Sequence, residues 1–466
     1  MGERILFLTG HLAAGRLDKV LRGVGATDFE WSIVDIGVKV AALMTEAIIL
    51  RRLLRPVNAT RVVLPGRCRA DLDRLSASFG VPFERGPDEL KDLPSFFGKA
   101  ARSRDDRRHD IRIFAEIVEA ATLPVDRLLE RARRLQQAGA DVIDIGCLPD
   151  TPFPHLEDAV RELVAAGLTV SVDSGNADEL VRGARAGAAY LLSLTEHTLD
   201  IARDTGAKPV LIPASHGDLA SLERAAEAAD REGIAAILDP VLDPVHFGFM
   251  ASLQRYADLR AALPQAEILM GTGNLTELTD ADSGGVTATL LGICSELLIR
   301  NVLIVQVSAH TRRTVQEHDA ARRLMFAARE DGSTPKGYGT GLLQLHDRAP
   351  FPNSPDEIDE LAAAVRDANF RIEAAEDGIH VYNRSGHRVL QDAFAAFPGL
   401  GVEADGPHAF YLGAELMKAE IAWRLGKRYA QDEPLDWGCA ADRPPEDVTR
   451  LRQAGHTLRG LKSEEP

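Results

Sequence analysis

Three aspartates stand where apolar, β-branched segments of the chain end. Asp144 lies near the end of DVIDIG, Asp173 ends LTVSVD, and Asp239 ends IAAILD. A carboxylate accepts two parallel hydrogen bonds from a guanidine-like group, so three carboxylates around one cavity predict a ligand edge with paired N–H donors. Ionised acids are seldom buried without partners, which also favours a ligand or cation role. The alternative is that Asp144 and Asp173 cap the following helices or pair with Lys and Arg.

A second polar segment, MGTGNLTELTDADSGG, follows another apolar run and has the composition of a ligand-binding loop. Gly271 and the Thr-Gly after it let backbone approach a ligand closely, and Asn274 offers both a donor and an acceptor. The loop also carries three acids, Glu277, Asp280 and Asp282. These acids would repel a phosphate, so either a divalent cation such as Mg²⁺ is bound or the loop contacts a neutral group. A turn with an Asp282 or Ser283 helix cap is the alternative without a ligand.

Three histidines, His216, His246 and His310, also follow apolar runs. Three histidines suggest a zinc site, but metal-dependent barrel hydrolases usually begin with an HxH on their first strand. The corresponding segment here, RIFAEIVEA, carries Glu116 and Glu119 instead. We therefore favour hydrogen-bonding or solvated histidines over metal ligands.

Two adjacent arginines, Arg312 and Arg313, lie in the segment SAHTRRT after the last apolar run. Adjacent guanidinium groups suit an anionic leaving group. Arginines at a helix start can equally form a solvated face.

The elements that position these residues are eight apolar, β-branched segments separated by amphipathic helical patterns such as Val125–Gln137. The segments are IRIFAEI, DVIDIG, LTVSVD, AAYLLSL, KPVLIP, IAAILD, AEILMG and NVLIVQV, ending near positions 117, 146, 173, 194, 213, 239, 271 and 307. Eight βα units predict a (β/α)8 TIM barrel, whose catalytic groups lie at the carboxyl ends of the strands. Continuous apolar runs suit strands covered on both faces. An open doubly wound sheet is the alternative, but no topological switch signal interrupts the eight units.

The barrel is predicted to be one of three folded parts in an α/β protein. Residues 1–105 show βαβαβ order and predict a Rossmann-like or flavodoxin-like α/β domain, and the charged run ARSRDDRRHD links it to the barrel at 111–330. Residues 331–355 are a Gly/Pro-rich linker, with a lid over the barrel mouth as the alternative. Residues 356–440 predict a small α+β domain, and 441–466 a flexible tail. The TGH after the first strand lacks the dinucleotide glycine spacing, so no nicotinamide or flavin is indicated, and neither is haem.

Composition excludes several classes of function. The 466 residues include 54 Lys+Arg against 70 Asp+Glu, a net charge of −16, which disfavours nucleic acid and anionic membranes as partners. The 4 cysteines show neither a disulfide framework nor zinc-ribbon spacing. No segment resembles a signal peptide or a membrane span, so we expect a soluble cytoplasmic protein.

Several motifs carry a family resemblance. AGADVIDIG, TVSVDSG and ILDP resemble the second, third and sixth strand motifs of dihydropteroate synthases and the wider pterin-binding family. GTGNLTELTDADSGG looks more like the archaeal-type dihydropteroate synthase-related proteins, which flank the barrel with N- and C-terminal domains. The stretch FYLGAELMKAEIAWRLGKRYAQDEPLDWG is similar to the end of those chains. The resemblance therefore covers most of the sequence.

The resemblance implies a transferase that joins a 6-hydroxymethyl-dihydropterin diphosphate to an aromatic amine and releases pyrophosphate. It implies that Asp173 and Asp239 hold the amino-pyrimidine edge of the pterin, with Asp144 as the third catalytic carboxylate. Ser193, Gly271 and Asn274 complete the pterin site in this view. The groups that would meet the diphosphate or the amine are His216, His310, Arg312 and Arg313. Mg²⁺ would assist diphosphate departure, and the family leads us to expect a homodimer.

Departures from the family pattern leave alternatives open. Most of these synthases carry Ser-Arg-Lys on strand seven, where this chain has GTGN and no lysine. This favours ribofuranosylaminobenzene 5′-phosphate over p-aminobenzoate as the acceptor, in tetrahydromethanopterin-type rather than folate synthesis. A non-catalytic pterin-binding protein of the same pathway is the first alternative. A pterin-dependent methyltransferase is the second, since DPVHFG is one residue off the cobalamin motif DxHxxG.

Overall fold

The computed structural model describes residues 3–23, 29–87, 90–97 and 107–442. The chain forms two compact units. The first contains the chain up to Arg108 together with Ala327–Lys336, and the second contains His109–Phe326 and the chain from Gly337 onward.

The first unit is built on a four-stranded parallel sheet with the strand order β2-β1-β3-β4. Its strands are β1 (Glu3–Thr9), β2 (Phe29–Asp35), β3 (Arg61–Leu64) and β4 (Phe83–Arg85). Its helices are α1 (His11–Gly23), α2 (Glu46–Arg52), α3 (Leu72–Phe79) and α4 (Leu93–Phe96). Apolar side chains are buried on both faces of the sheet, which confirms the predicted α/β domain. At the start of helix α1, the His11 and Leu12 N–H groups donate to the Val38 and Lys39 carbonyls.

The second unit contains a closed barrel of eight parallel strands. The strands are β5 (Arg112–Ile117), β6 (Val142–Gly146), β7 (Val170–Asp173), β8 (Tyr190–Leu194), β9 (Lys208–Leu211), β10 (Ile237–Leu238), β11 (Glu267–Gly271) and β12 (Asn301–Ile304). The helices are α5 (Val125–Ala138), α6 (Leu156–Ala165), α7 (Ala177–Ala186), α8 (Leu199–Thr205), α9 (Leu219–Arg231), α10 (Phe249–Ala262), α11 (Gly273–Thr276), α12 (Ser283–Glu296) and α13 (Thr314–Glu330). Pairing of β12 with β5 closes the barrel. The TIM-barrel prediction is therefore confirmed, and the open sheet is excluded.

Alternate residues of each strand have different surroundings. One set of buried side chains, including Ile113, Ile143 and Val172, packs with the surrounding helices. The other set, Phe114, Val142, Leu192, Val210, Ile237 and Leu269, forms a separate cluster inside the barrel. Side chains two residues apart on a strand point to the same side. A polar residue two positions after a member of the inner cluster therefore projects into the barrel mouth.

The amino-terminal face of the barrel is closed by paired charges. Glu267 accepts hydrogen bonds from Arg112 and Lys208, and from Asn301 Nδ2 at 3.2 Å. Arg112 also donates to the Tyr190 hydroxyl at 2.8 Å. The acid at this end is thus neutralised by neighbours, as expected for a face that contributes stability.

After the barrel, residues 331–354 contain neither helix nor strand. The C-terminal part consists of α14 (Pro355–Ala364), an antiparallel sheet of β13 (Arg371–Ala375), β14 (Gly378–Asn383) and β15 (Gly386–Leu390), and α15 (Gly406–Leu425). Leu412 and Leu416 of α15 pack on the sheet, and Gly426 ends the helix with a φ of +60°. This is the predicted α+β domain. Most of the predicted tail, from 443 onward, lies outside the described residues. Within the described chain, no helix is long and apolar enough to cross a membrane.

Candidate active site

Four acids converge on the carboxyl-terminal mouth of the barrel. Glu116 of β5 lies opposite Asp144 of β6 in strand register, and Asp173 of β7 lies opposite Gly146. Asp239 directly follows β10, and its N–H donates to the Leu211 carbonyl at 2.8 Å. The inner-face periodicity of the strands thus brings together side chains that are far apart in sequence.

Asp144 is the most deeply buried of the four. It is 0% exposed, and its Oδ1 accepts a 2.6 Å hydrogen bond from the hydroxyl of Ser171, its register partner on β7. Its Oδ2 is buried without a hydrogen-bond partner in the structure. Burial, together with the charges of Asp173 and Glu116, raises the pKa of Asp144 well above its ordinary value. Burial and the neighbouring acids therefore favour the protonated form of Asp144 more than for an exposed aspartate.

Asp173 is the acid that interacts with all the others. Its charge raises the pKa values of Glu116, Asp144 and Asp239. Burial also raises the pKa of Asp173 itself, and a hydrogen bond with Ser193 opposes the rise. Ser193 has a φ of +72° at an irregularity in the pairing of β8 with β9, so the local backbone conformation turns its side chain to Asp173.

Asp239 is held in a fixed orientation by two hydrogen bonds. Its Oδ1 accepts the Tyr256 hydroxyl at 2.7 Å and the Val241 N–H at 2.8 Å. Its Oδ2 accepts no hydrogen bond from the described part of the chain. Burial raises the pKa of Asp239 to about 6, although the hydrogen bonds from Tyr256 and Val241 lower it. One oxygen is thus used to orient the carboxyl group and the other is available to a ligand.

Glu116 completes the group and titrates near neutrality. Burial, with the charge of Asp173, raises the pKa of Glu116 to about 7. The side chain lies over Gly146, where a Cβ atom would come within 2.3 Å of Glu116 Oε1. A side chain at position 146 would therefore require the Glu116 carboxyl group to move.

The four mouth acids, Glu116, Asp144, Asp173 and Asp239, form no ion pair with the described residues, although the charge of Arg255 lowers the pKa of Asp239. Glu267 at the opposite face, in contrast, forms ion pairs. They do not cap helices either. The side chain of Asn176 caps α7, and the residues at the starts of α6 and α10 are His155 and Gly248. Within the described residues, Asp144 and Asp239 thus have hydrogen-bond partners, but none of the four acids has an ion pair or a helix-capping role.

The side chain of Glu277 joins the loop after β11 to the loop after β12 through hydrogen bonds. Glu277 Oε1 accepts the Val307 N–H at 2.8 Å and the Thr311 hydroxyl at 2.6 Å, and its Oε2 accepts the Ser308 N–H at 3.0 Å. Burial alone would raise the pKa of Glu277, but these hydrogen bonds outweigh it and lower the pKa. Barrels often bind phosphate at these loops. In this chain Glu277 occupies two of the amides that a phosphate would use.

The predicted pterin ligands on the strand-seven side lie at the same mouth. Gly271 ends β11, and Asn274 lies in the one-turn helix α11 that follows it. The Asn274 side chain is exposed, and its Nδ2 donates to the Leu242 carbonyl at 2.7 Å. The amide oxygen of Asn274 takes no part in this hydrogen bond.

The predicted histidines make separate contacts. His216 Nε2 lies 2.8 Å from Asp243 Oδ1, and Asp243 also pairs with Arg255. His310 Nε2 lies 3.0 Å from the Thr276 carbonyl. His246 is exposed with a φ of +69°. Two of the three thus already have hydrogen-bond partners, each in the loop after a neighbouring strand.

The two predicted arginines differ. Arg313 donates to the Cys439 carbonyl at 2.9 Å and to Asp442 at 2.8 Å, so it joins the barrel to the C-terminal end of the second unit. The exposed side chain of Arg312 forms no hydrogen bond or ion pair with the described residues. Arg312 is therefore the one of the pair whose charge is available.

The residues present do not supply a ready metal centre. Among the described residues, no group of three or more His, Cys, Asp or Glu side chains is arranged to hold a metal ion. The raised pKa of Asp144 also disfavours its ionised form, which is the form that binds Mg²⁺. A diphosphate can bring its own Mg²⁺, and magnesium stays a prediction for the substrate complex.

The sequence patterns indicate Glu116 and Glu277 as acids of their segments but do not place them in the site, and they do not indicate Tyr256. The position of Glu116 two residues after Phe114 is a usable signal, because it places Glu116 on the inner face. Tyr256 lies on α10 and Glu277 in a loop, and nothing in the spacing identifies Asp239 and the Val307 amide as their partners.

The first 86 or so residues match a known family, and the whole chain matches a known protein. Residues 3–88 match a family of unknown function, DUF6513. The chain is 25% identical over 532 aligned positions to the uncharacterized protein MJ0107 of Methanocaldococcus jannaschii, covering 93% of this chain and 99% of that protein. The likeness to MJ0107 therefore includes the flanking parts as well as the barrel.

Solved structures similar to the chain align with about half of it. The Yersinia pestis DHPS with a pterine-sulfa conjugate is 20% identical and covers 49% of this chain and 98% of its own, with a TM-score of 0.38. The dihydropteroate synthase of Thermus thermophilus in complex with 6HMPPP is 23% identical and covers 48% and 97%, with a TM-score of 0.37. The fold and site together define a TIM-barrel protein whose mouth carries four acids that form no ion pair with the described residues.

Proposed function

We propose that the chain is a dihydropteroate synthase-like transferase. It joins a 6-hydroxymethyl-dihydropterin diphosphate to an aromatic amine and releases pyrophosphate. The strand-two, strand-three and strand-six motifs AGADVIDIG, TVSVDSG and ILDP support this assignment, because they resemble those of the pterin-binding family.

The observation that carries the proposal is the pair of carboxylates on Asp173 and Asp239. Both lie at strand ends of one mouth, form no ion pair with the described residues, and interact electrostatically with each other. The amino-pyrimidine edge of a pterin presents adjacent N–H donors, which a carboxylate accepts as parallel hydrogen bonds. Because two hydrogen bonds already fix the orientation of Asp239, its side chain loses less conformational entropy when a ligand binds.

The chemistry needs little from the protein beyond orientation and charge. The amine nitrogen bonds to the methylene carbon as the carbon–oxygen bond to the diphosphate breaks, and pyrophosphate leaves with the electron pair. Carboxylates near the ring stabilise positive charge that develops on the pterin-methyl group. The amine then loses a proton, and Glu116, with a pKa of about 7, is suited to accept it near neutral pH.

The acceptor that we propose is ribofuranosylaminobenzene 5′-phosphate, in tetrahydromethanopterin-type cofactor synthesis. The chain has GTGN where most of these synthases carry a lysine that contacts the pterin and the aminobenzoate. A phosphorylated acceptor would place its negative charge further from the ring, where the exposed Arg312 is available.

A second candidate is a pterin-binding protein without condensation activity. It is favoured by Glu277, because this carboxylate occupies the Val307 and Ser308 amides at the loop where barrels often bind phosphate. In this case the pterin would bind at Asp173 and Asp239, but a diphosphate leaving group would lack its usual amide donors.

Titration calorimetry with 6-hydroxymethyl-7,8-dihydropterin and a pyrophosphate-release assay with each amine separate the two candidates. We expect Asp173→Asn and Asp239→Asn to weaken pterin binding about tenfold or more, because each removes a charged acceptor. Asp150→Asn, which removes an exposed acid from the loop after β6, is the matched control and should leave affinity unchanged. Binding without pyrophosphate release supports the second candidate. Affinity that is equal in all four proteins contradicts both.

A further inference from the structure

We propose a second small-molecule site in the first unit, at the carboxyl ends of β1 and β3. The ligand class is a compact aromatic or otherwise apolar molecule that carries one anionic group, a phosphate or a carboxylate. This site is separate from the barrel mouth and does not rest on the function proposed for it.

The sheet topology creates the location. β1 pairs with β2 on one side and with β3 on the other, all in parallel. The chain leaves β1 toward β2 and then crosses to β3, so the strand order reverses between β1 and β3. Connections that diverge at such a switch point leave a crevice outside the carboxyl ends of the strands, where open α/β sheets bind ligands.

A cavity of about 370 Å³ occupies this crevice. Its volume lies in the range of small-molecule sites. The inner walls are apolar, with Phe7, Leu64 and Leu93 among the lining residues, and Gly332–Thr334 form part of the boundary. At the rim, Leu12 is 65% exposed and Val40 42% exposed. An apolar ligand body would cover these two side chains, which are costly to expose to water.

Among the described residues, the charged side chains that line the cavity are two cations, Arg16 and Arg67. No described Asp or Glu lines it. The Arg16 Nε–H is buried and has no hydrogen-bond partner. A buried donor without an acceptor costs free energy, and an anionic oxygen in the cavity would remove that cost.

The local backbone excludes the dinucleotide mode of binding for this sheet. In that mode a pyrophosphate binds the free N–H groups at the start of the first helix. Here His11 and Leu12 donate to the Val38 and Lys39 carbonyls at 2.8 and 3.2 Å. A Cβ on Gly10 would lie 2.7 Å from the Val38 carbonyl oxygen, so the chain itself fills the space beside this turn. The anionic group of a ligand would therefore lie at Arg16, whose Nε–H has no partner.

The test uses the full chain with four probes: phenyl phosphate, benzoate, phenol and inorganic phosphate. Ligand-observed saturation-transfer NMR and calorimetry measure each affinity. We expect phenyl phosphate or benzoate to bind at least tenfold more tightly than both phenol and inorganic phosphate. The aromatic anion that binds more tightly shows whether the site prefers a phosphate or a carboxylate group.

Substitutions in and near the cavity test whether the probes bind there. Arg16→Met keeps the apolar stem and removes the charge, and we expect it to lower the affinity at least tenfold. Arg22→Met is the matched control, because Arg22 lies on the same helix, is exposed and pairs with Asp18. Ala13→Leu, which fills the cavity, should also abolish binding and serves if Arg16→Met does not fold. Asp173→Asn in the barrel should leave the affinity unchanged.

Three results would overturn the proposal. The first is that neither aromatic anion binds the wild-type chain. The second is that Arg16→Met and Ala13→Leu bind as tightly as the wild type, or that Arg22→Met loses affinity equally. The third is that Asp173→Asn abolishes binding, which would assign the probes to the barrel. Loss of pterin binding in Asp173→Asn with retained aryl-anion binding leaves this second site intact.

Discussion

The Tyr256 hydroxyl donates to Asp239 Oδ1 across 2.7 Å, so a side chain on α10 orients the carboxyl group that follows β10. Tyr256 is 0% exposed and Asp239 8% exposed. This bond also stabilises the ionised form of Asp239, whose pKa of about 6 would otherwise be higher. The helix thus helps to keep the proposed pterin ligand charged at neutral pH.

We predict that Tyr256→Phe shifts the pH dependence of pterin binding upward. In the wild type, affinity should fall as the pH falls through about 6, because protonation removes the Asp239 charge. Loss of one hydrogen bond to a carboxylate should move this midpoint up by about one to two pH units. Calorimetry between pH 5 and 9 measures the shift. Tyr190→Phe, at the amino-terminal start of β8, is the control, and an unmoved midpoint in Tyr256→Phe would refute the role of Tyr256.

The second prediction concerns the stability cost of Glu116. Its folded-state pKa of about 7 lies above the ordinary 4.5, so its contribution to stability is complete below pH 4.5 and is lost as the pH rises through 7. Glu116→Gln should therefore raise the free energy of unfolding at pH 8 by up to about 3 kcal/mol, and much less at pH 5. Urea unfolding at the two pH values tests this. The exposed Glu119→Gln is the control, and equal effects of Glu116→Gln at both pH values would argue against it.

Glu277 gives a third prediction. Glu277→Ala should free the Val307 and Ser308 amides and the Thr311 hydroxyl, and so create a site for pyrophosphate or sulfate. We expect pyrophosphate affinity to rise about tenfold, measured by calorimetry. Asp280→Ala removes an exposed acid of the same loop without freeing amides. A similar gain in Asp280→Ala would mean that charge alone, and not the amides, limits anion binding.

A fourth prediction separates stability from binding. Arg322 is 2% exposed and donates to the Ile111 carbonyl at 2.7 Å and to Asp319 at 2.8 Å, near the amino-terminal end of β5. Arg322→Met should lower the free energy of unfolding by about 1 to 3 kcal/mol, because it removes the donor to the Ile111 carbonyl while Asp319 keeps its pair with Arg323. Pterin affinity of the folded protein should not change. Arg134→Met, which breaks an exposed pair with Glu130, should cost less than about 1 kcal/mol in the same denaturant titration.

The strands of the barrel are predictable because they are covered on both faces and therefore continuously apolar. Strand ends depend on more than hydrophobicity. β9 ends at Leu211, two residues before the predicted end, and Pro213 lacks an N–H to continue the ladder. β12 ends at Ile304 instead of Val307, because the Val307 N–H donates to Glu277 and not to a neighbouring strand.

The site is only partly predictable for a related reason. Periodicity indicates which face a residue lies on, and so it brings Asp144, Asp173 and Asp239 to one mouth. It does not indicate which side chains pair across elements. The Tyr256–Asp239 bond and the Glu277 contacts to Val307 and Ser308 join residues 17 to 31 positions apart through tertiary packing. Such pairs determine how readily the acids at the mouth ionise and whether an anion can bind there.

The most direct test of the central claim is a crystal structure of the full chain soaked with 6-hydroxymethyl-7,8-dihydropterin. We predict that the amino-pyrimidine edge lies in the barrel mouth, with its N–H groups donating to Asp173 and to the Oδ2 atom of Asp239. A pterin that is bound elsewhere, or bound in the mouth with its amino-pyrimidine edge turned away from both carboxylates, would contradict the account.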